Sequence, residues 1–190
     1  MKTNVKDFLV SPYTIYLYGE IDTEMAASVV QKGVNFCREW IEKGIPENER
    51  YIVLRINSLG GSIVDGMDIL DNLNAISPKV VTIAEGMAAS MGAFLLCSGT
   101  KGYRLAMPNS EILIHQPLGG IQGQAADLEI AVTRMKKVKQ RLNKLMAEAT
   151  GKSIKEIEYD TDRDNYMSPI EAKNYGLIDA IIENNLEVMI

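Results

Sequence analysis

The chain has 190 residues, of which 46% are hydrophobic and 24% are charged. These values are typical of one soluble globular domain with a full hydrophobic core. The net charge at pH 7 is −5, and no basic cluster is longer than the pair Lys136 and Lys137. Charge therefore excludes nucleic-acid binding as a functional class, and we predict a single domain over residues 1–190.

The cysteines and the single histidine exclude a common class of metal site. Cys37 and Cys97 lie in apolar segments without CxxC spacing, and His115 is the only histidine. Too few ligands remain for zinc, so we predict two reduced core cysteines, no metal and no bound cofactor. The N-terminus lacks the apolar core of a signal peptide, which predicts a cytoplasmic location.

Residues 80–97 approach the length of a membrane span, with Glu85 as their one charge. The first half is β-branched and the second half is rich in small residues, with a break at Glu85 between them. This pattern predicts a buried strand followed by a buried helix, and no membrane contact.

Strand-like and helix-like segments alternate along the chain, which predicts an α/β fold with parallel strands and crossover helices. The predicted strands are residues 14–18, 51–56, 80–84, 103–106 and 111–114. The first predicted helix is capped by Asp22 or Thr23, the second runs from Ile63 to about Asn74, and the third begins at Ser90. A further helix is predicted to begin at a capping box formed by Ser168 and Glu171 and to end at Gly176. Residues 57–62 are predicted to form a loop.

A helix from about Ala125 to Ala149 is longer than a domain of this size needs. Its 25 residues span roughly 38 Å, so we expect it to project from the domain. Its apolar residues recur at intervals of three and four. This spacing suits packing against another copy of the chain as well as against its own core.

Ser90 follows the β-branched strand at residues 80–84 and begins an apolar helix. Unpaired N–H groups at a helix start stabilise an oxyanion that forms when such a serine attacks a carbonyl. His115 is the one imidazole that the chain itself offers as a base. The structural alternatives are a plain N-cap for Ser90 and a buried strand residue for His115. The G-x-S-x-G elbow does not fit, because Ala88 occupies the position of its first glycine.

Two further features accompany the serine and the histidine. Asp160, Asp162 and Asp164 are all candidates for a carboxylate partner of the imidazole, and the residues alone do not choose among them. The segment 116–124 after the histidine contains three glycines, which let the backbone approach a bound peptide closely.

Over residues 14–182 the chain resembles the ClpP family, the proteolytic subunits of Clp proteases. The resemblance rests on four separate motifs: INSLGG at 56–61, AASMGAFLL at 88–96, PNS at 108–110 with IHQPLGG at 114–120, and TDRD at 161–164. It implies a ClpP/crotonase-type α/β fold, a spiral of ββα units with a projecting handle at residues 116–150 and a short N-terminal segment at residues 1–13.

The resemblance also implies the roles of individual residues. Ser90 corresponds to the nucleophile, His115 to the general base and Asp164 to the acid that orients the imidazole. Backbone N–H groups of Gly61 and Met91 correspond to the oxyanion hole. A further implied pair, Leu118 and Gly120, binds substrate.

The implied function is a serine endopeptidase that cleaves unfolded polypeptides inside two stacked heptameric rings, without a cofactor and with a Clp-type AAA+ ATPase as partner. Four positions depart from the family pattern. Leu59 occupies the position of a proline, and Asn165 occupies the position of an arginine that pairs across the ring interface. Two aromatic residues of the ATPase-docking groove are replaced by Val53 and Arg55. These departures predict weaker ring pairing and weaker docking.

Two other functions remain open at this point. A crotonase-type acyl-CoA enzyme shares the fold and the backbone oxyanion hole, but it needs no Ser/His/Asp set. A non-catalytic ring subunit would pair with an active paralogue.

Overall fold

The computed structural model describes residues 2–120, 122–183 and 187–189 of the chain. The strands are β1 (Lys2–Asn4), β2 (Thr14–Ile21), β3 (Ile52–Gly61), β4 (Val80–Ala89), β5 (Arg104–Ala106), β6 (Glu111–Ile114), β7 (Asn165–Met167), β8 (Ala180–Ile181) and β9 (Glu187–Met189). The helices are α1 (Val5–Leu9), α2 (Thr23–Glu42), α3 (Ile63–Ile76), α4 (Met91–Cys97), α5 (Ala125–Thr150), α6 (Ile154–Asp160) and α7 (Pro169–Tyr175), with a 3-10 turn at Glu47–Glu49.

The main sheet has the order β2-β3-β4-β5-β8, and all of these neighbours are parallel. Strand β6 also pairs with β4 in parallel, and β7 pairs with β6 antiparallel. Crossover helices connect the parallel strands, as the alternation of elements predicts. The predicted α/β class and the parallel sheet are therefore confirmed. The two-stranded sheet of β1 and β9 is separate and antiparallel.

Both faces of the sheet are covered, so its central strands bury apolar side chains on both sides. On one face Leu54 and Ile56 belong to the larger core together with α2, α3 and α4. On the other face Val53 packs in a smaller core with Val5 and Phe8 of α1.

The glycine-rich segment is a strand, which corrects the predicted loop at residues 57–62. Strand β3 continues to Gly61, and its register shifts between Ile56 and Ser58. Gly60 and Gly61 still pair with β2, at backbone φ angles of +99° and +147°. Glycine adopts such angles without steric cost, so the ladder continues past the irregularity.

Strand β4 likewise continues past the predicted break at Glu85 and ends at Ala89. Gly86 takes a φ of +64°, and the N–H of Met87 donates to the side-chain oxygen of Asn57 at 3.1 Å. The bend is thus accommodated inside the strand, and Ser90 follows the strand directly.

The predicted helix caps agree with the structure. Asp22 caps α2 through the N–H of Met25, at 2.8 Å. Ser168 and Glu171 form the capping box of α7, and Gly176 ends that helix in a left-handed conformation. Helix α5 has 26 residues, close to the predicted 25, and its buried residues Asn143, Met146 and Ala147 all lie near its C-terminal end.

Cys97 is buried and Cys37 is half-buried, and both are free. Burial raises the pKa of the Cys97 thiol to about 12, so this thiol is unreactive in the native protein. In the part of the chain that the structure describes, no helix is long and apolar enough to cross a bilayer. Of the predicted single domain 1–190, positions 1, 121, 184–186 and 190 lie outside the described residues.

Candidate active site

Ser90 occupies the junction between β4 and α4 in a strained backbone conformation. Its φ and ψ are 54° and −120°, and it is the one non-glycine residue with positive φ among the residues described. Its side chain makes no capping hydrogen bond, so the hydroxyl does not serve α4 as a plain N-cap. Strain of this kind costs about 1 to 3 kcal/mol and is concentrated at functional sites.

The glycine-rich end of β3 lies directly against Ser90. A Cβ atom added to Gly60 would lie 2.6 Å from the Cβ of Ser90 and 3.1 Å from the amide nitrogen of Met91. The N–H of Gly60 donates to the buried hydroxyl of Ser58 at 3.0 Å, which holds the segment in place. Ser58 and Asn57 support this part of the structure and were not predicted from the sequence, although both belong to the INSLGG motif.

Met91 and Gly61 lie at the ends of the two elements that meet at Ser90. Met91 is the first residue of α4, and the N–H groups at a helix start have no partner within the helix. Gly61 ends β3 one residue after Gly60. These are the donors that the sequence resemblance assigns to the oxyanion hole.

His115 follows β6, which runs beside β4. Ala89 pairs with Leu113, and the N–H of Ser90 donates to the carbonyl of Leu113 at 2.9 Å. His115 therefore lies two residues beyond Leu113, the strand partner of Ala89, and one residue beyond the end of β6. The described residues include no hydrogen bond between the Ser90 hydroxyl and His115. Catalytic hydrogen bonds are often long before substrate binds.

Asp164 is the carboxylate that contacts His115. Its Oδ1 lies 3.1 Å from Nδ1 of the imidazole, which leaves Nε2 available for the serine. The His115 side chain is 14% exposed and the Asp164 side chain is 58% exposed.

The two competing aspartates have other partners. Asp160 accepts a hydrogen bond from the hydroxyl of Tyr175 at 2.9 Å, and Asp162 meets the side chains of Gln116 and Arg163. The Tyr175 hydroxyl is held protonated, because burial and the Asp160 hydrogen bond both raise its pKa. Neither aspartate contacts His115 in the described structure.

Leu118 and Gly120 line one wall of an apolar groove of about 280 Å³. The opposite walls are the start of α3, with Ile63 and Val64, and the exposed half of α5, with Met135. The Leu118 side chain is 78% exposed in the single chain. Pro117, which is two residues after His115 in the chain, also lines the groove.

A family model described as Clp protease matches residues 1–185, nearly the whole chain. The chain belongs to the Clp protease family. This family is a family of peptidases, and the parallel sheet with flanking helices agrees with the ClpP/crotonase-type fold. Ser90, His115 and Asp164 all lie inside the region that matches the Clp protease model.

The two departures at the implied docking groove of the Clp protease family have different structural outcomes. Val53 is fully buried beneath α1, so it is not a surface anchor, contrary to its expected place in a groove. Arg55 forms a short, mostly buried ion pair with Glu85. The charge that Arg55 brings to this position is therefore compensated within the chain.

Tyr16 and Tyr18 lie beside the ion pair of Arg55 and Glu85, and the four residues form a polar cluster. The hydroxyl of Tyr18 donates to Glu85, and the guanidinium of Arg55 lies 5.3 Å from the ring centre of Tyr16. Desolvation and the hydrogen bond to Glu85 raise the pKa of Tyr18 to about 12, so this donor stays protonated at neutral pH.

Proposed function

We propose that this Clp protease family member is a serine endopeptidase in which Ser90 is the nucleophile, His115 the general base and Asp164 the orienting acid. The observation that carries the proposal is the His115–Asp164 contact at 3.1 Å beside a strained serine whose hydroxyl caps no helix. A serine hydroxyl is a poor nucleophile unless a base takes its proton, and this site supplies one.

In the proposed reaction, Ser90 Oγ bonds to the carbonyl carbon of the substrate while its proton passes to His115 Nε2. Asp164 stabilises the resulting imidazolium at Nδ1. The N–H groups of Gly61 and Met91 donate to the oxyanion. Collapse breaks the C–N bond, and His115 returns the proton to the leaving amine. Water then releases the acyl group by the same steps, and the reaction needs no cofactor or metal.

The substrate class is an extended polypeptide. Leu118 and Gly120 are the proposed substrate-binding residues, and the apolar groove that they line supports this proposal. A groove between a loop and a helix admits an unfolded segment more readily than a folded surface. Unfolded chains and short peptides are therefore the proposed substrates.

The proposed assembly is two stacked rings of seven subunits that enclose the active sites in the cytoplasm, with a Clp-type AAA+ ATPase as partner. Family membership supports it, since Clp protease subunits generally form rings and work with Clp ATPases. The exposed apolar residues of α5, Ile130, Val132 and Met135, support it as well, because such side chains are normally covered in an assembly.

The test is Ser90→Ala, assayed on an unstructured fluorogenic peptide. We expect loss of cleavage by a factor on the order of 10⁴ to 10⁶, with circular dichroism and Tm unchanged. Retention of more than about one hundredth of the parent rate would refute the assignment. Labelling of the parent at Ser90 by a fluorophosphonate separates this function from a crotonase-type acyl-CoA enzyme and from a non-catalytic ring subunit.

A further inference from the structure

Gln116, the residue after His115, connects three parts of the protein. Its backbone N–H donates to the carbonyl of Thr161 at 2.6 Å, and its side-chain Nε2 donates to the carbonyl of Asp162 at 2.8 Å. Its Oε1 accepts a hydrogen bond from Nζ of Lys139 at 3.0 Å. The residue thus joins the end of β6 to the turn that carries Asp164 and to helix α5.

Asp164 itself is weakly held. Its side chain is 58% exposed, and its contact with His115 is the one hydrogen bond that its carboxylate makes within the described structure. Its position therefore depends on the backbone around it. After Asp164, the chain is held by the pairing of Asn165 with Ile114. Before Asp164, Thr161 and Asp162 are held from one side by hydrogen bonds to the end of α6 and from the side of His115 by the two hydrogen bonds from Gln116.

The orientation of the Gln116 amide is determined by its partners. The oxygen meets only a donor, the ammonium of Lys139, and the nitrogen meets only acceptors on Asp162. Lys139 is half-buried on α5, toward the end of the stretch of that helix that is mostly exposed. A shift of α5 would therefore move the amide and, through it, the turn before Asp164.

We propose that Gln116 is a positioning residue that holds Asp164 against His115, and that Lys139 couples this geometry to helix α5. The proposal rests on the function proposed above, because it assumes that the His115–Asp164 pair acts in catalysis. A misplacement of about 1 Å in catalytic groups costs up to about a hundredfold in rate, so a bond at this place matters to turnover.

The first test is Gln116→Met, which keeps the length of the side chain and removes all three hydrogen bonds of its amide. We expect kcat for peptide cleavage to fall about tenfold, KM to stay within twofold, and fluorophosphonate labelling of Ser90 to slow by the same factor as kcat. A fall in kcat of less than threefold would overturn the proposal. An equal rise in KM would also overturn it, since it would indicate damage to the substrate groove.

A second variant covers the case in which Gln116→Met unfolds. Gln116→Glu keeps the shape and still accepts a hydrogen bond from Lys139, but it loses the donor to Asp162. We expect the same fall in kcat with an unchanged Tm. A parent-like kcat in Gln116→Glu would contradict the role of the amide donor.

The coupling to α5 is tested by a double-mutant cycle. Lys139→Met is expected to lower kcat severalfold, Lys139→Arg to restore most of it, and Lys139→Met combined with Gln116→Met to be no slower than Gln116→Met alone. Lys137→Met, at an exposed position two residues earlier on α5, is the matched control and should match the parent. Factors that multiply in the double variant would show that Lys139 acts independently, and would overturn the coupling.

Ser90→Ala and Asp164→Ala distinguish a failure of this proposal from a failure of the proposed function. If both are inactive while Gln116→Met matches the parent, only the positioning role is wrong. If both retain activity, the catalytic assignment itself is wrong.

Discussion

At the scale of single residues, the candidate site combines backbone strain with a serine hydroxyl that does not cap the helix that follows it. Ser90 has the positive φ of a nucleophile presented on a sharp strand-to-helix turn, although Ala88 stands where the hydrolase elbow has its first glycine. The close approach of backbone that such a turn requires comes from Gly60, a residue on a neighbouring strand. The G-x-S-x-G pattern of the hydrolase elbow therefore does not match here, because the glycine that makes room for the serine is 30 positions earlier in the chain.

The choice of carboxylate leads to a prediction about three matched variants. Asp164→Asn should lower kcat by a factor on the order of 10⁴, because an amide stabilises neither the imidazolium nor the required tautomer. Asp160→Asn should stay within threefold, since its partner is Tyr175. Asp162→Asn should do the same, since the main-chain carbonyl that binds Gln116 is retained. Peptidase assays on the three purified proteins decide the matter, and a large loss in Asp160→Asn alone would reverse the assignment.

At the scale of elements, the end of β3 is part of the sheet and of the candidate site at once. Its ladder with β2 holds Gly60 and Gly61 in register, and the hydroxyl of Ser58 supports the N–H of Gly60 from within the strand. The N–H of Gly60 is therefore already occupied, and Gly61 is the residue of β3 that the proposed oxyanion hole uses. A strand positions such a donor before substrate arrives, which is how a preorganised donor stabilises a developing charge.

Gly60→Ala tests this role of β3. The added Cβ would approach the Cβ of Ser90 to 2.6 Å and the carbonyl of Ala89 to 2.9 Å, so one of the two strands must shift. We expect at least a hundredfold loss of peptidase rate, together with a lower Tm. Gly102→Ala is the control, because Gly102 has a φ of +90° with nothing within 4 Å of the added atom. It should cost about 1 to 2 kcal/mol of stability and keep the activity.

Equal peptidase activity in Gly60→Ala and Gly102→Ala would contradict this prediction. In that case the close approach of β3 to Ser90 would not be needed for the reaction.

At the scale of the whole molecule, a single chain leaves much apolar surface exposed along α5 and around Leu118. Light scattering should therefore detect a particle of about seven or fourteen times 21.0 kDa, and peptidase activity should elute with it. A stable single ring would agree with the weaker ring pairing predicted from Asn165. An active species of one subunit mass would contradict the proposed assembly.

The polar cluster of Arg55, Glu85, Tyr16 and Tyr18 predicts weak cooperation with an unfoldase. An apolar docking loop derives its affinity from buried anchors, whereas this part of the sheet presents an ion pair that must stay hydrogen-bonded. We expect peptides to be cleaved without help, and a tagged folded substrate to be degraded slowly with the Clp unfoldases of the host and ATP. The double variant Arg55→Tyr with Glu85→Gln should accelerate that degradation and leave peptide cleavage unchanged. Rapid degradation by the parent would contradict the prediction.

The sequence by itself determined the features that depend on neighbouring residues. The capping box of α7, the length of α5 and the parallel α/β class all follow from patterns within one element or in the order of elements. The sequence narrowed the cap of α2 to Asp22 or Thr23, and the structure shows that it is Asp22. The Ser90 and His115 segments were recognisable for the same reason, because each is a short continuous motif.

Only the tertiary structure decided which distant segments meet. Among Asp160, Asp162 and Asp164, the residues alone left the choice open, and the antiparallel pairing of β7 with β6 brings Asp164 to His115. The extension of β3 to Gly61 and the burial of Val53 under α1 likewise depend on partners far away in the chain. Strand pairing and burial are properties of the packed molecule, so neighbouring residues do not specify them.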